Sequence, residues 1–346
     1  MTELALKVLA SSRRDDRDSG HVVTVAGAQL GGLWLNHKAR VSRLITATEL
    51  AVSEGADLIA FPETYLNGYP FWMTRTAGGA RFGDTDQKAC YAYYLDTAIE
   101  VGRSATRELE TLARDLEITL MIGITERGSR MGAGSAYCTL LTITPDDGIA
   151  GVHRKLVPTY DERLVWAHGD GAGLRTYEVG AAVVGGLNCW ENWMPQARNV
   201  LYAEGETLHV STWPGSPALT RDITRFAAME GRSFGLAVGG VLTAADIPDD
   251  FPLLQELREN SVTDPFTGGS AVAGPDGTWL IEPVTGEGLI VADLDLRAVR
   301  RERLTFDPTG HYSRPDVFST HVNRQRPQPV AITDGAAAPS GGEEPL

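Results

Sequence analysis

The segment VVGGLNCWENWMP (residues 183–195) places a cysteine where nucleophilic chemistry is favoured. An apolar, strand-like run ends at two glycines, Cys189 follows, and Pro195 suits the first turn of a helix. A thiol between a strand end and a helix start lies near unpaired backbone N–H groups and the positive end of the helix dipole, which lower its pKa. Cys189 is therefore a candidate nucleophile. The alternative is that it packs as a small buried hydrophobe.

Two other predicted strands end at residues that complement a thiol. DLIAFPETYLNGYP (57–70) presents Glu63 after a buried run, and GVHRKLVPTYDERLVW (151–166) presents Lys155 in the same way. Taken singly, acidic and basic side chains at strand ends are usually solvated. Because ligands of sheet-based folds bind beyond the strand ends, these three side chains are expected to converge. Together they supply a nucleophile, a base and a positive charge for a developing anion.

Other patterns that suggest chemistry lack the context they require. GRSFG (231–235) fits G-x-S-x-G, but a helix-like segment precedes Ser233 and a strand-like segment follows, the reverse of a nucleophile elbow. GDGAG (169–173) lacks the glycine spacing of a dinucleotide site. The seven histidines form no H-E-x-x-H motif and no tight cluster with cysteine, so no metal site is predicted.

Apolar periodicity predicts the elements that must position these residues. The predicted strands cover 21–30, 57–61, 118–126, 136–144, 149–154 and 176–187, and predicted helices cover 41–52, 87–116, 193–204 and 218–232. A Pro-Asp-Gly sequence at 275–277 predicts a hairpin turn later in the chain. Helices that alternate with strands, including hairpins, predict a layered α/β fold with mixed sheets packed back to back.

Composition excludes several classes of function. The 346 residues are 42% hydrophobic, enough for a large core, and the formal net charge of −14 argues against nucleic acid or an anionic membrane as partner. Three cysteines without a CxxC motif, and a charged first segment unlike a secretory signal, predict a cytoplasmic protein. We expect a disordered lead-in over 1–20, one core domain over 21–316 and a tail over 317–346.

Three ordered blocks of sequence resemble one known family. FPETYLNGYP around Glu63, HRKLVPTYDERLVW around Lys155 and GLNCWENWMP around Cys189 are similar to the nitrilase (carbon–nitrogen hydrolase) superfamily, and most similar to its true nitrilase branch. RFAAMEGRSF, GGSAVAGPDG and GHYSRPDVF extend the resemblance over residues 22–320. The resemblance implies a four-layer α-β-β-α sandwich with two mixed β-sheets, and a hydrolase that acts on carbon–nitrogen bonds.

The resemblance also implies roles for individual residues. Cys189 attacks the carbon of an organic nitrile, Glu63 takes the thiol proton, and Lys155 balances charge on the tetrahedral species. Glu162, seven residues after the lysine, matches a second glutamate of the family and orients the lysine and water. A thioimidate and then a thioester lead to the carboxylic acid and ammonia, without metal or organic cofactor. Relatives form homo-oligomers, so a dimer or a larger assembly such as a spiral filament is expected.

Several assignments remain open at this point. Trp190, Tyr65 and Trp213 are candidates for the wall of the substrate pocket, although core packing is the favoured explanation for each. Glu191 and Asn192 are interpreted as caps or loop anchors rather than catalysts. Within the superfamily the alternatives are a cyanide-degrading hydratase or dihydratase, or an amide hydrolase. An alternative of another class is a catalytically silent assembly scaffold.

Overall fold

The computed structural model describes residues 6–17, 20–129, 131–260, 266–328 and 330, and its strands form two large sheets. The strands are β1 (Val8–Ser12), β2 (Val22–Gln29), β3 (Leu58–Ala60), β4 (Thr119–Arg127), β5 (Ala136–Thr144), β6 (Gly148–Arg154), β7 (Tyr177–Val179), β8 (Ala182–Asn188), β9 (Leu208–Trp213), β10 (Phe234–Gly239), β11 (Val241–Leu242), β12 (Phe266–Thr267), β13 (Ala271–Ala273), β14 (Trp279–Ile281) and β15 (Gly288–Asp295). The helices are α1 (His37–Ser53), α2 (Trp72–Arg75), α3 (Thr85–Thr97), α4 (Ser104–Asp115), α5 (Pro195–Ala203), α6 (Pro217–Gly231), α7 (Leu254–Asn260) and α8 (Arg297–Glu302).

Both large sheets are mixed. The first has the order β1-β15-β2-β3-β4-β5-β6, in which β2, β3 and β4 are parallel and β5 and β6 continue as antiparallel neighbours. The second has the order β14-β13-β10-β9-β8-β7, with β8, β9 and β10 parallel. Because parallel strands end at the same edge, the segments that follow them are brought together there.

Side chains alternate between the two faces of each strand, and this alternation explains how the layers pack. In β2, Val23 and Val25 face the second sheet, whereas Ala26 and Ala28 face the helices α1 and α4. Both faces of the strand are buried, so its sequence reads as a continuous apolar run. Helices α5 and α6 cover the outer face of the second sheet. The predicted four-layer α-β-β-α sandwich with two mixed sheets is confirmed.

Two local predictions are wrong. The lead-in predicted to be disordered over 1–20 contains β1, which pairs in parallel with β15 at the edge of the first sheet. Arg13 and Arg14 then form ion pairs with Asp293 and Asp295, so charged residues of the predicted lead-in anchor this strand. The long helix predicted over 87–116 is two helices, α3 and α4, because Ile99 pairs with β4 and Gly102 adopts a positive φ between them.

The described part of the predicted C-terminal tail contacts the core without regular secondary structure. Arg326 pairs with Asp170 and donates to the backbone carbonyl of Val152, on the edge strand β6. Arg324 pairs with Glu204 at the end of α5. Residues 331–346, which complete the predicted tail, lie outside the described residues. Across the described ranges, no helix is both long enough and apolar enough to span a bilayer.

Candidate active site

The segments after β3, β6 and β8 bring Glu63, Lys155 and Cys189 together. All three side chains are buried, with at most 3% of any residue exposed. The backbone N–H of Glu63 donates to the carbonyl of Trp213, which links the end of β3 to the second sheet. Gly123 in β4 makes this placement possible, because a Cβ there would lie 2.0 Å from the carbonyl oxygen of Pro62. The predicted convergence of the three side chains is confirmed.

Lys155 lies between two carboxylates. Its Nζ donates to Glu63 Oε1 at 2.9 Å and to Glu162 Oε2 at 2.7 Å. One carboxylate oxygen of Glu63, one carboxylate oxygen of Glu162 and the Sγ of Cys189 all lie within 4.8 Å of one another. Burial alone would lower the pKa of Lys155, but the negative charges around it outweigh burial and hold that pKa well above its usual value. Lys155 is therefore an ammonium with a hydrogen bond to each of the two carboxylates.

Glu63 has one oxygen free for proton transfer. Its Oε1 accepts from Lys155 and from the Cys138 thiol, at 3.3 Å from Sγ, whereas Oε2 is buried and has no hydrogen-bond partner among the described residues. Burial raises the pKa of Glu63 to about 7, and Lys155 opposes that rise. A carboxylate with this pKa accepts and returns a proton readily near neutral pH.

Glu162, in contrast, accepts hydrogen bonds at both of its carboxylate oxygens. Its Oε2 accepts from Lys155 and from the backbone N–H of Thr159 at 2.6 Å, and its Oε1 accepts from the Tyr69 hydroxyl at 2.8 Å. The short 3-10 turn Tyr160–Leu164 begins with this Thr159–Glu162 capping box. Glu162 therefore orients Lys155 with both of its own oxygens occupied, which distinguishes it from Glu63.

Cys189 occupies a strained backbone position at the start of the 3-10 turn Cys189–Trp193. Its φ is +51°, a left-handed conformation that costs a residue other than glycine about 1–3 kcal/mol. The expectation of a lowered thiol pKa is wrong. Burial raises the pKa of Cys189 well above its usual value, and the negative charge of Glu63 adds to the rise. The thiol is therefore protonated at rest.

Glu191 anchors the turn that begins at Cys189, as predicted. Its carboxylate accepts from the backbone N–H of Asn188 at 2.9 Å, which forms a capping box, and from the backbone N–H of Leu156 at 2.6 Å. It also pairs with His153 at 3.1 Å. This one carboxylate ties the segment that carries Cys189 to the segment that carries Lys155, and α5 then begins at Pro195 as expected.

The three aromatic residues predicted to line the substrate pocket lie in three different environments. Tyr65 is buried against Phe61, and its hydroxyl donates to the carbonyl of Arg40. Trp213 is fully buried beside Cys189. Trp190 is 46% exposed and lies next to Trp193 on the outer surface. Whether any of the three contacts substrate stays a prediction.

Sequence reasoning missed the aromatic neighbours of the buried charges. The Tyr69 hydroxyl binds Glu162, and its ring meets the edges of Trp166 and Phe266. The Trp166 ring centroid lies 5.6 Å from Lys155 Nζ. Both residues stand within the quoted blocks, six residues after Glu63 and eleven after Lys155. Their side chains reach the site because the loops after β3 and β6 turn towards the buried charges. Apolar periodicity predicts strands and helices, but it does not predict the path of a loop.

Comparison with known proteins identifies the family. The family model described as carbon-nitrogen hydrolase matches residues 24–303. The chain belongs to the carbon–nitrogen hydrolase family. An aliphatic nitrilase of Sinorhizobium fredii is 35% identical over 305 residues, which cover 86% of this chain and 94% of that protein. An aliphatic nitrilase of Rhodococcus rhodochrous is 32% identical over 321 residues, which cover 89% of this chain and 81% of the relative.

A solved structure agrees with the fold of this carbon–nitrogen hydrolase. Saccharomyces cerevisiae Nit3, a member of branch 10 of the nitrilase superfamily, superposes with a TM-score of 0.65 at 19% identity, over 84% of this chain and 97% of that one. The similarity to the aliphatic nitrilases places the chain in the nitrilase branch, which confirms the resemblance seen in its sequence. The protein is a hydrolase that acts on carbon–nitrogen bonds.

Proposed function

We propose that this carbon–nitrogen hydrolase converts an organic nitrile and two water molecules into a carboxylic acid and ammonia. One observation carries the proposal: the Cys189 thiol lies within 4.8 Å of a carboxylate oxygen of Glu63, in a buried site that also holds the Lys155 ammonium. The names of the relatives support a nitrile as the substrate class.

The first half of the reaction forms a thioimidate. Because the pKa of the Cys189 thiol is raised, sulfur attacks the nitrile carbon as its proton passes to Glu63. Oε2 is the oxygen that takes this proton, since Oε1 already accepts from Lys155 and Cys138. Glu63 then delivers the proton to the nitrile nitrogen. The carbon–nitrogen triple bond becomes a C=NH group bonded to sulfur.

The second half releases ammonia and then the acid. Glu63 takes a proton from a water molecule that adds to the thioimidate carbon, and the resulting tetrahedral species expels ammonia when that nitrogen is protonated. A thioester remains, and a second water cleaves it to the carboxylic acid and the free thiol. The Lys155 ammonium, held by Glu162, stabilises negative charge on each tetrahedral species in a site without bulk water.

A nitrile panel tests the proposal. We expect wild-type enzyme to release ammonia from phenylacetonitrile or from an aliphatic nitrile, with acid as the other product, and Cys189→Ala to release none while remaining folded. Cys90→Ala is the matched control, because Cys90 is also a buried free cysteine but lies in α3 and not at a strand end. Turnover of nitrile by Cys189→Ala would refute the proposal. Amide as the main product, or activity on cyanide alone, would replace it with the corresponding alternative.

We also propose that copies of the chain associate through an exposed aromatic patch formed by Trp190, Trp193 and Phe226. The ring centroids lie 6.2 Å and 6.4 Å apart along the patch, and each residue is more than 40% exposed. Exposed clusters of large apolar side chains favour protein contacts. Trp193→Glu combined with Phe226→Glu should lower the molecular mass measured by sedimentation, and an unchanged mass would refute this interface.

The proposed location is the cytoplasm. All three cysteines are unpaired thiols, which suits a compartment that keeps thiols reduced. Fractionation of cells that produce the protein would test this location, and recovery with an oxidising compartment would contradict it.

A further inference from the structure

A row of three buried side chains runs from the second sheet to the backbone of the nucleophile. Glu206 Oε1 lies 2.9 Å from His209 Nδ1, and His209 Nε2 lies 2.7 Å from Asn192 Oδ1. Asn192 Nδ2 then donates to the carbonyl of Cys189 at 2.7 Å and to that of Leu187 at 3.3 Å. Each of the three residues is at most 2% exposed. We refer to Glu206, His209 and Asn192 as the relay.

The fold provides space for the relay between the second sheet and the helices that cover it. His209 lies in β9, opposite Gly185 of β8. Its neighbours Leu208 and Val210 face the first sheet, so its side chain is on the face covered by α5 and α6. A Cβ at position 185 would lie 2.1 Å from Glu206 Oε1, so the glycine makes room for the carboxylate. Burying a carboxylate and an imidazole in such a layer is costly unless each has a polar partner, and here Glu206 and His209 are partners of each other.

The hydrogen bonds fix the orientation of Asn192 and the protons of His209. The Asn192 amide cannot be flipped, because its oxygen would then face two carbonyl oxygens. Its Oδ1 therefore faces His209 Nε2, which must carry hydrogen. Nδ1 faces the Glu206 carboxylate, and the Nε2–H group orients Asn192.

We propose that the relay holds Cys189 in its left-handed backbone conformation and thereby aims the thiol at Glu63. The strained φ of +51° is stabilised where Asn192 binds the carbonyl of the same residue. Arg198 binds the carbonyl of Asn192 from α5, which fixes the other end of the turn. Asn192, His209 and Glu206 are positioning residues, because they act through the backbone of Cys189. The inference rests on Cys189 being the nucleophile of the proposed function.

Two substitutions at His209 distinguish a role in positioning Asn192 from a role in packing the buried layer. The amide nitrogen of Gln reaches the position of Nε2, so His209→Gln keeps the donor to Asn192. The amide nitrogen of Asn reaches only the position of Nδ1, so His209→Asn keeps the contact with Glu206 and loses Asn192. His21→Asn, at an exposed histidine before β2, is the control for the substitution itself.

Two readouts are measured: steady-state nitrile hydrolysis, and the rate at which iodoacetamide alkylates Cys189, followed by peptide mass spectrometry. We expect His209→Asn to lower kcat and the alkylation rate roughly tenfold to a hundredfold with little change in KM. His209→Gln should retain most of both rates, and urea midpoints of the two variants should be similar. Alkylation needs no nitrile turnover, so it tests the relay even if the proposed substrate is wrong.

Equal losses in the two variants, or an unchanged alkylation rate in His209→Asn, would overturn the proposal. If His209→Asn does not fold, Asn192→Asp provides the test, because it preserves shape and replaces the donor amide with oxygen. We expect the same slow alkylation in that variant. A wild-type alkylation rate in Asn192→Asp would show that the amide does not position the nucleophile.

Discussion

The two ends of the sheets carry carboxylates in opposite surroundings. At one end, Glu63 and Glu162 are buried and share the ammonium of Lys155. At the other end, a cleft of about 500 Å³ is open to water, and no basic side chain stands among the described residues that line it. Its acidic residues are Asp57, Glu117, Asp146, Asp147 and Glu178.

The difference shows what makes a carboxylate chemically useful in this acidic protein. Water stabilises the exposed charges of the open cleft, although partial burial raises the pKa of Asp57 there. Burial removes that stabilisation at Glu63 and raises its pKa to about 7, while Lys155 keeps the ionised form accessible. The cleft has more acids and more space, but the buried end has the thiol, the cation and a carboxylate with a pKa of about 7.

The largest effect is expected for Glu63→Gln. The amide preserves the shape of the side chain but cannot take the thiol proton, so kcat should fall roughly 10²–10⁴-fold. Steady-state hydrolysis with thermal unfolding as a control measures this. A wild-type kcat in the folded variant would remove Glu63 from the role of base.

The pH dependence of kcat/KM is a second test of the difference between the buried and the exposed carboxylates. Glu63 must be ionised to accept the thiol proton, so kcat/KM should fall as pH decreases through about 7, where Glu63 becomes protonated. Cys138→Ala removes a donor that stabilises the ionised carboxylate, so the pKa of Glu63 should rise and this acid limb should move to higher pH. Cys90→Ala should leave the limb in place, and a limb that stays fixed in Cys138→Ala would contradict the role of this contact.

The smallest effect is expected in the open cleft. Asp146→Asn combined with Glu178→Gln removes two solvated charges far along the strands from the buried group. We expect unchanged kcat and KM, because exposed carboxylates lack the desolvation that tunes Glu63. A large loss of kcat in this double variant would mean that the two ends of the sheets are coupled, and that the distinction between them fails.

The sequence allowed the site to be predicted because chemistry-bearing residues follow apolar strands. Glu63, Lys155 and Cys189 each follow such a run. β3 and β6 run in the same direction, because β4 is parallel to β3 and two antiparallel pairings lead from β4 to β6, and Cys189 follows a parallel strand of the second sheet. The pKa of Cys189 was predicted in the wrong direction, because a strand-to-helix pattern shows the dipole but not the depth of burial or the nearby Glu63. Desolvation decides the pKa here.

Contacts made by loops and side chains over long sequence distances were harder to predict. Tyr69 reaches Glu162 across 93 residues, and Cys138 reaches Glu63 across 75. Val8–Ser12 forms a strand only because the edge of β15 accepts it. A single sequence gives the periodicity of each segment, whereas these features depend on which segments meet.

The most direct test of the central claim is intact-protein mass spectrometry of enzyme quenched with acid during turnover of a nitrile. The account predicts a wild-type adduct with the mass of the thioimidate or thioester, mapped by peptide analysis to Cys189 and missing from Cys189→Ala. Turnover without any adduct at Cys189, or an adduct at another residue, would contradict it.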